Sequence, residues 1–466
     1  MLPVAPPEPL PWPLHPTLEA LLPRLVLTQD CWDLLANRKQ HYLPRGDREP
    51  EAAYRRRLEA ALPSGFFRDA LRTFAGMLAS SHWRELPASL QAVISDVDGC
   101  GTDLGVFLER ADVLVLRDGA ALVGVLPPLH LWPSEGDRQQ ALRHGDRLSL
   151  PRLALLPRRD VLNWQRPTPQ ALPDGLRIRL PNPRAQDTSE FTDPAEPPQH
   201  PWLYGSVALD HDGMAVETSE LLADPQAPSG WRSQRIAVQH YRGIRQLPLI
   251  WYASDGSAFG DGDLPHLGLA HQYLNHFRCQ SDYQELLYRT ALPVGVRTGV
   301  AGPMGSGSTE PVVLGPNSVI DLPDGASFQF VEIQARSLAE HRAWLESLDQ
   351  GMRRDALIPS GVQGAPRTAT EISLAASQAY ALLQSQALQK ASMFSTLLEH
   401  WCALTGDALP QRDGPALLVE ISPLAPAPRP QPTVAEMLQL HQRGIVSDQA
   451  LRQWLGDLAG VTQLSG

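Results

Sequence analysis

The sequence has 466 residues, of which 43% are hydrophobic and 20% charged, a composition that excludes a largely disordered chain. At this length we expect two or three packed regions rather than a single core. The formal net charge of -11 argues against a protein that grips nucleic acid, because such binding depends on Lys and Arg neutralising phosphates.

The cysteines and the hydropathy pattern exclude further classes of protein. The cysteines lie far apart and form no CxxC pair, so neither a zinc site nor a disulfide framework is indicated. Residues 1–16 are rich in Pro and lack a basic start followed by an apolar core, so we expect no signal peptide. No uncharged apolar run of about 18 residues occurs, so we expect no membrane span.

The first half of the chain predicts an extended arm, then helices, then strands. Apolar positions at helical spacing predict helices over residues 17–43, 49–61, 65–83 and 102–117, the last capped by Thr102 or Asp103. Short β-like runs separated by Pro, Gly and Asp predict strands over 121–126, 153–156, 161–164, 176–180, 207–209, 236–240 and 249–252. The polar, Pro-rich stretch 181–200 predicts an exposed loop.

The second half predicts long helices around a small β-rich insert. Helices are expected over 264–291, 337–357 and 368–405, with the insert at 292–334 and a Gly-containing loop at 360–367. A Pro- and Ala-rich linker at 422–432 precedes a predicted helical pair at 433–442 and 447–459. The fold class predicted from this order is α+β.

One segment of the first long helix carries a recognisable pattern. Asn275, Arg278, Ser281, Asp282 and Tyr283 are followed by Ala291-Leu292-Pro293. Further stretches agree in order: Tyr42-Leu-Pro44 with Tyr54 and Arg57, Asp160 to Trp164, Thr368-Ala-Thr-Glu371, and Leu438 with Arg443-Gly-Ile-Val-Ser447. With these motifs the sequence resembles the uncharacterised, DUF4055-like portal protein family of tailed bacteriophages over most of residues 40–455.

The resemblance implies a portal fold with a defined order of parts. An N-terminal arm and α/β wing would occupy residues 1–263. A first stem helix (264–291), a clip (292–334), a second stem helix (335–358) and a tunnel loop (359–367) would follow. A long wing helix with a following strand would span 368–421, and a linker with the C-terminal crown or barrel helices would span 422–466.

The candidate site residues lie on the stem and in the tunnel loop. The second stem helix carries charges of both signs at Glu340, Arg342, Glu346, Asp349, Arg353 and Arg354. Such mixing is typical of a solvated face with i,i+4 pairs, such as Asp349 with Arg353 or Glu346 with Gln350. The portal resemblance instead implies a channel lining or a subunit contact. The tunnel loop would comprise Ser360, Gly361, Val362, Gln363, Gly364, Ala365, Pro366 and Arg367, a sequence that fits a plain helix connector equally well.

The long helix 368–405 has only Glu371, Lys390 and Glu399 as formal charges, and it is rich in Ala, Ser and Gln. Weak charge suits a channel that passes DNA, because each cation paired with a phosphate retards sliding. An ordinary amphipathic core helix would show the same composition.

Three patterns suggest a metal site, and each has a simpler interpretation. Residues 96–103 resemble a calcium loop, but Cys100 and Phe107 stand where oxygen ligands are required, which favours a turn that caps a helix. The acidic loop 255–263 fits the entry to a stem helix. His266, His271 and His276 are spaced five residues apart, which spreads them around a helix instead of placing them on one face.

The hypothesis from the sequence is a non-enzymatic portal subunit of the virion, at one capsid vertex after assembly in the host cytoplasm. Its expected partners are further copies in a ring of about twelve, double-stranded DNA, the terminase large subunit, a tail adaptor, and the major capsid or scaffolding protein. No cofactor or metal is expected. The alternatives are a metal-dependent enzyme that uses the carboxylates of 96–103 or 255–263, and another structural protein of the head or tail.

Overall fold

Helices and strands alternate irregularly along the chain, and the fold class in the computed structural model is α+β, as predicted. The structure describes residues 10–36, 38–128, 135–144, 146–168, 171–182, 200–227, 230–290, 294–298, 327–331, 337–356, 369–409 and 415–421, together with Met437 and Ser447. The chain divides into a unit of residues 1–421 and a unit of residues 422–466. All elements below belong to the first unit.

The described helices are α1 (Pro16–Trp32), α2 (Lys39–Tyr42), α3 (Glu51–Ala60), α4 (Phe66–Ala79), α5 (Ala88–Ala92), α6 (Leu104–Asp118), α7 (Glu135–Arg143), α8 (Leu267–Thr290), α9 (Ser337–Asp355) and α10 (Ala369–Thr405). The described strands are β1 (Ser81–Trp83), β2 (Ala120–Leu126), β3 (Arg152–Pro157), β4 (Val161–Gln165), β5 (Gly175–Pro181), β6 (Trp202–Leu209), β7 (Gly213–Ala223), β8 (Trp231–Arg242), β9 (Leu249–Ala253), β10 (Val294–Thr298), β11 (Ser327–Val331) and β12 (Leu417–Val419).

Local chemistry sets the ends of α6. The Asp103 side chain accepts a hydrogen bond from the Gly105 amide, which satisfies one of the unpaired N–H groups at the start of the helix. Gly119 ends the helix with a φ of 77°, a left-handed conformation that glycine adopts without steric cost. A Cβ at this position would also collide with the carbonyl oxygen of Asp263, so the same glycine permits the loop before α8 to approach.

The strands form two main antiparallel sheets. In the smaller sheet, ordered β3-β2-β9, the central strand is an almost fully buried apolar run, with Val123 opposite Leu155 on one side and Ile250 on the other. In the larger sheet, β4 to β8 follow one another as a meander. Strand β1 pairs antiparallel with β12, which lies near the C-terminal end of the unit's sequence, and Ser81 stands opposite Val419.

The cores lie where helices cover these sheets and one another. One core joins α4 and α8 and includes Phe67, Phe74 and Tyr273. A second packs α6 and α10 against β2 and includes Trp401. A third lies between the two sheets and a fourth beneath the N-terminal arm.

Several predicted boundaries are wrong for tertiary reasons. The expected helix 17–43 is two helices, because the chain turns at Leu34 and Leu35, both with left-handed φ, and buries Leu35 completely. The expected helix 65–83 ends at Ala79 and continues as β1, and the strand β7 was not predicted. The predicted parts at 181–200, 292–334 and 422–466 lie largely outside the described residues, and the loop 360–367 lies wholly outside them.

Candidate stem hairpin

The candidate site is the hairpin of α8 and α9, the two helices that the resemblance implies as the stem. Near the start of α8, Gln272 donates from Nε2 to Asp355 Oδ2 at 2.6 Å, at the end of α9. Farther along α8, Asp282 lies within electrostatic range of His341, near the start of α9. Positions therefore rise along α8 as they fall along α9, and the helices are antiparallel.

A small sheet lies between these helices in the chain. Strand β10 begins four residues after α8, and β11 ends six residues before α9. The two strands pair antiparallel, with Val294 opposite Val331 and Thr298 opposite Ser327. The predicted order of helix, β-rich insert and helix is confirmed for these described residues.

The charges on α9 are mostly paired with one another. Arg353 Nε donates to Asp349 Oδ2 at 2.8 Å, which confirms the predicted i,i+4 pair. Glu346 accepts from Arg342 Nε at 3.0 Å, one turn toward the start of the helix, whereas Gln350 lies one turn toward its end. The Arg342 pair is well exposed, as expected of a solvated helix face, and the Arg353 pair is partly buried.

The remaining charges on this helix lie at the surface, and so does one aromatic residue. Glu340 is exposed, and Arg354 lies 3.5 Å from the carboxylate of Asp355. Trp344, also on α9, is 54% exposed. A single exposed apolar side chain is common at protein surfaces and does not by itself mark a contact.

The motif residues of α8 attach that helix to α2 and α3. Arg278 Nε donates to the carbonyl oxygen of Tyr42 at 2.8 Å. Asp282 is exposed and lies 3.6 Å from Arg57. Arg57 in turn donates to the carbonyl oxygen of Pro44 at 3.0 Å. Two motif segments that are far apart in sequence thus meet in space.

The other motif residues differ in their surroundings. Asn275 is exposed and Tyr283 is half-buried. Ser281 is buried, and its hydroxyl has no hydrogen-bond partner among the described residues. The geometry of the motif therefore indicates packing and attachment, and it brings together no nucleophile and base.

The buried ion pair of α10 was not predicted. Lys390 Nζ donates to Asp112 Oδ2 at 2.7 Å and to the carbonyl oxygen of Leu78 at 2.9 Å. Asp112 Oδ1 accepts from the Tyr252 hydroxyl, which accepts from Gln386. Burial raises the pKa of Asp112, and Lys390 opposes that shift. The sequence signal was a single cation on the apolar face of a helix.

The two acidic loops are held by their own hydrogen bonds. Asp98 accepts from the amides of Cys100 and Thr102, and Asp96 accepts from the amide of Gly101. The carboxylates of the first loop therefore close a turn before α6. Within the described residues, no group of three or more His, Cys, Asp or Glu is arranged to hold a metal ion.

The second acidic loop is attached from behind by a buried arginine. Arg158 donates to the carbonyl oxygens of Gly262 at 2.7 Å and Gly260 at 2.9 Å. Asp255 accepts from the amides of Ser257 and Asp263. Partial burial raises the pKa of Asp255, but these hydrogen bonds outweigh it and bring the pKa below its ordinary value.

The three histidines of this region lie in different surroundings. His266 is buried before the start of α8, and burial lowers its pKa to about 4. His271 is exposed and His276 is half-buried. Only His271 and His276 lie on α8 itself, and the three side chains share no common surroundings.

Part of the chain matches a known protein family. Residues 265–405, from the start of α8 to the end of α10, match the family model described as Domain of unknown function (DUF4055), which confirms the predicted family resemblance for that segment. No curated protein matches the chain. Among the described residues, no helix is long and apolar enough to cross a membrane.

Three solved structures resemble the chain at low identity. One is described as the virion of a native gene transfer agent (GTA) particle, with 13% identity, coverage of 89% of this chain and 96% of that one, and a TM-score of 0.41. A second is described as the neck of an empty GTA particle computed with C6 symmetry. It has 12% identity, coverage of 89% of this chain and 96% of that one, and a TM-score of 0.42. A third is described as the neck of a native GTA particle computed with C12 symmetry. It has 13% identity, coverage of 91% of this chain and 97% of that one, and a TM-score of 0.40.

Proposed function

We propose that this chain, whose residues 265–405 carry the domain described as DUF4055, is the portal protein of a tailed bacteriophage. A single observation supports the proposal most strongly. The hairpin of α8 and α9 flanks the two-stranded sheet of β10 and β11, and the 37-residue helix α10 follows. This order coincides with the stem, clip and wing helix that the family resemblance implies.

The proposed role is mechanical. About twelve copies would close into a ring through a head-to-tail interface, and the ring would surround a channel for double-stranded DNA during packaging and ejection. The clip would dock the terminase large subunit, which would supply ATP hydrolysis. A tail adaptor and the major capsid or scaffolding protein would be the other contacts. The ring would form in the host cytoplasm and remain at one vertex of the virion.

The electrostatics of the hairpin support a channel that does not grip DNA. On α9, Arg342, Arg353 and Arg354 each lie within 3.5 Å of a carboxylate oxygen. On the described part of α10, Lys390 is buried against Asp112. The carboxylates beside the exposed arginines offset their positive charge, so DNA would meet little net attraction from this surface.

The first experiment is light scattering on the purified full chain, followed by negative-stain imaging of the same sample. The expected result is a ring of about a dozen subunits with a central hole. Rings without a continuous axial channel would overturn the portal assignment in favour of another head or tail structural protein. A monomer that binds a divalent cation stoichiometrically would overturn it in favour of the enzyme that uses the acidic loops.

A variant on α9 tests whether the hairpin takes part in ring closure. Trp344→Glu places a charge on the exposed aromatic position and is expected to reduce the fraction of rings at least tenfold, because desolvating a charge in an interface is costly. Leu62→Glu is the matched control, since Leu62 is 70% exposed and lies outside the hairpin. Rings that tolerate Trp344→Glu as well as the control would exclude this face of α9 from the interface.

A further inference from the structure

A cavity of about 590 Å³ lies among α4, α6, α8, α9, α10 and the loop that precedes α8. Its floor is apolar and buried, formed by Phe74, Leu116, Leu269 and Leu383. Its mouth is open to solvent at Leu382, which is 61% exposed. The cavity therefore offers an apolar interior that can be reached from outside.

Polar groups line the same cavity on one side. Asp255 and Asp263 come from the loop, and Asp355 comes from the end of α9. One cation, Arg354, also lines it, and its Nε lies 3.5 Å from Asp355 Oδ1. Behind the loop, Arg158 lies within electrostatic range of Asp255 and Asp263. Three carboxylates against these two guanidinium groups still leave the rim with an excess of negative charge.

A buried histidine provides an independent sign of a missing ligand. His266 lines the cavity and is 6% exposed, yet its Nδ1 has no hydrogen-bond partner among the described residues. A buried polar atom without a partner carries a desolvation cost that a bound donor would remove. Burial lowers the pKa of His266 to about 4, so the ring is neutral at pH 7 and Nδ1 can accept a hydrogen bond.

We infer that this cavity binds an organic cation, a guanidinium or primary ammonium group carried on a short apolar stem. The methylene groups would pack on the apolar floor between Phe74 and Leu383. The cationic head would donate to the carboxylates of Asp263 and Asp355, and to Nδ1 of His266. Charge-assisted hydrogen bonds of this kind are stronger than neutral ones and give the head its orientation.

Other ligand classes fit the cavity poorly. An inorganic anion would face three carboxylates. A divalent metal ion would need several ligands arranged around one point, and the described residues include no such group. A purely apolar ligand would leave His266 Nδ1 without a donor and would exclude water from the exposed carboxylate of Asp263.

The cation can come from two sources, a free small molecule or an arginine side chain of a second copy of this chain. The chemistry of recognition is the same for both. The first source makes the cavity a ligand site of the single chain. The second rests on the proposed ring, in which the guanidinium of one subunit would enter the cavity of the next.

Titration calorimetry with agmatine, which carries both a guanidinium and an ammonium group, tests binding on the full chain. We expect saturable binding with one site per chain, and glutarate is expected to give none. Asp355→Asn and Asp263→Asn should each weaken binding about tenfold, the effect of losing one charge-assisted hydrogen bond. Asp263 is exposed, so its variant keeps the test valid even where Asp355→Asn perturbs folding.

Asp349→Asn is the matched control, because this carboxylate lies on the same helix but pairs with Arg353 and does not line the cavity. The inference is overturned by the absence of saturable binding up to about 10 mM agmatine. It is also overturned by equal weakening in Asp263→Asn and Asp349→Asn.

Light scattering in the presence of agmatine then distinguishes the two sources. If a second copy supplies the cation, saturating agmatine and Asp263→Asn will each lower the mass of the assembly. If the natural ligand is free, agmatine will bind while the mass stays unchanged. Failure to form rings at all would count against the proposed function, whereas binding of agmatine to the single chain would still support the cation site.

Discussion

Ion pairs of the same chemistry occur on α9 and α10 in opposite surroundings. On α10, Lys390 and its partner Asp112 are 1% and 0% exposed. On α9, Arg342 and its partner Glu346 are 73% and 61% exposed. The donor–acceptor distances, 2.7 and 3.0 Å, differ little.

Burial therefore decides what each pair does. An exposed pair exchanges its partner for water at little cost and contributes about 0–1 kcal/mol. A buried pair has lost its water, so removal of one partner leaves an uncompensated charge. Lys390 fixes α10 against α6 and α4 because its buried Nζ donates to Asp112 of α6 and to the Leu78 carbonyl of α4. The exposed pairs of α9 leave that helix surface adaptable.

The largest expected effect is that of Lys390→Met. The free energy of unfolding should fall by about 3–5 kcal/mol, because Asp112 would stay buried without its cation. Urea denaturation monitored by circular dichroism measures the change. Lys39→Met is the control, since Lys39 is the only other lysine and is half-buried. A loss no larger than that of the control would contradict the importance of the buried pair.

The double variant Lys390→Met with Asp112→Asn separates the charge from the packing. Once both charges are absent, we expect at least half of the lost stability to return. The asparagine oxygen can still accept from the Tyr252 hydroxyl, which donates to Asp112 in the native chain. A double variant as unstable as Lys390→Met alone would show that packing, and not the unpaired carboxylate, causes the loss.

His266 extends the comparison to a buried group without an ionic partner. Its pKa is about 4 in the folded chain and 6.5 as the ordinary value, so the unfolded state binds more protons between these values. Stability should therefore fall as the pH falls from 6.5 to about 4, by about 3 kcal/mol from this residue. His266→Gln should flatten that slope, and His271→Gln, at an exposed position, should leave it unchanged. If His266→Gln left the pH dependence of the unfolding free energy unaltered, His266 would not be its cause.

The ion pair of Arg57 on α3 with Glu49 lies between the buried Lys390 pair and the exposed Arg342 pair. The Arg57 side chain is 9% exposed, and the pair has a distance of 2.7 Å. Arg57→Gln should cost about 2 kcal/mol in unfolding free energy, because both Glu49 and the Pro44 carbonyl lose a charged donor. Arg55→Gln in the same helix removes an exposed pair with Glu51 and should cost far less. Thermal denaturation of both variants measures the difference. Equal falls in melting temperature would contradict the expected difference between the part-buried pair and the exposed pair.

The smallest effect is expected for Arg342→Gln on α9. Loss of this exposed pair should change the unfolding free energy by no more than about 0.5 kcal/mol. Thermal denaturation at low and at high salt measures it, since salt should abolish even this difference. A loss above 1 kcal/mol would mean that the face of α9 is less exposed in solution than in the single chain, as a ring contact would make it.

The helices α8, α9 and α10 could be predicted from the sequence to within a few residues, together with the β-rich insert after α8. Their apolar spacing is strong and local, and periodicity needs no knowledge of distant residues. The motif residues Arg278 and Asp282 could be chosen from the sequence as well. Their contacts with Tyr42 and Arg57, however, were visible only once the chain was folded.

Which polar groups are buried could be seen only in the folded chain. Strand β7 was missed because Glu217, Ser219 and Glu220 give it no apolar alternation, yet its neighbours β6 and β8 hydrogen-bond it into the sheet. Lys390 was identified as one of three charges on its helix, but its burial depends on Asp112, which lies 278 residues away. The cavity at His266 likewise combines five helices and a loop. Burial depends on which distant elements pack together, and a local pattern carries no information about that.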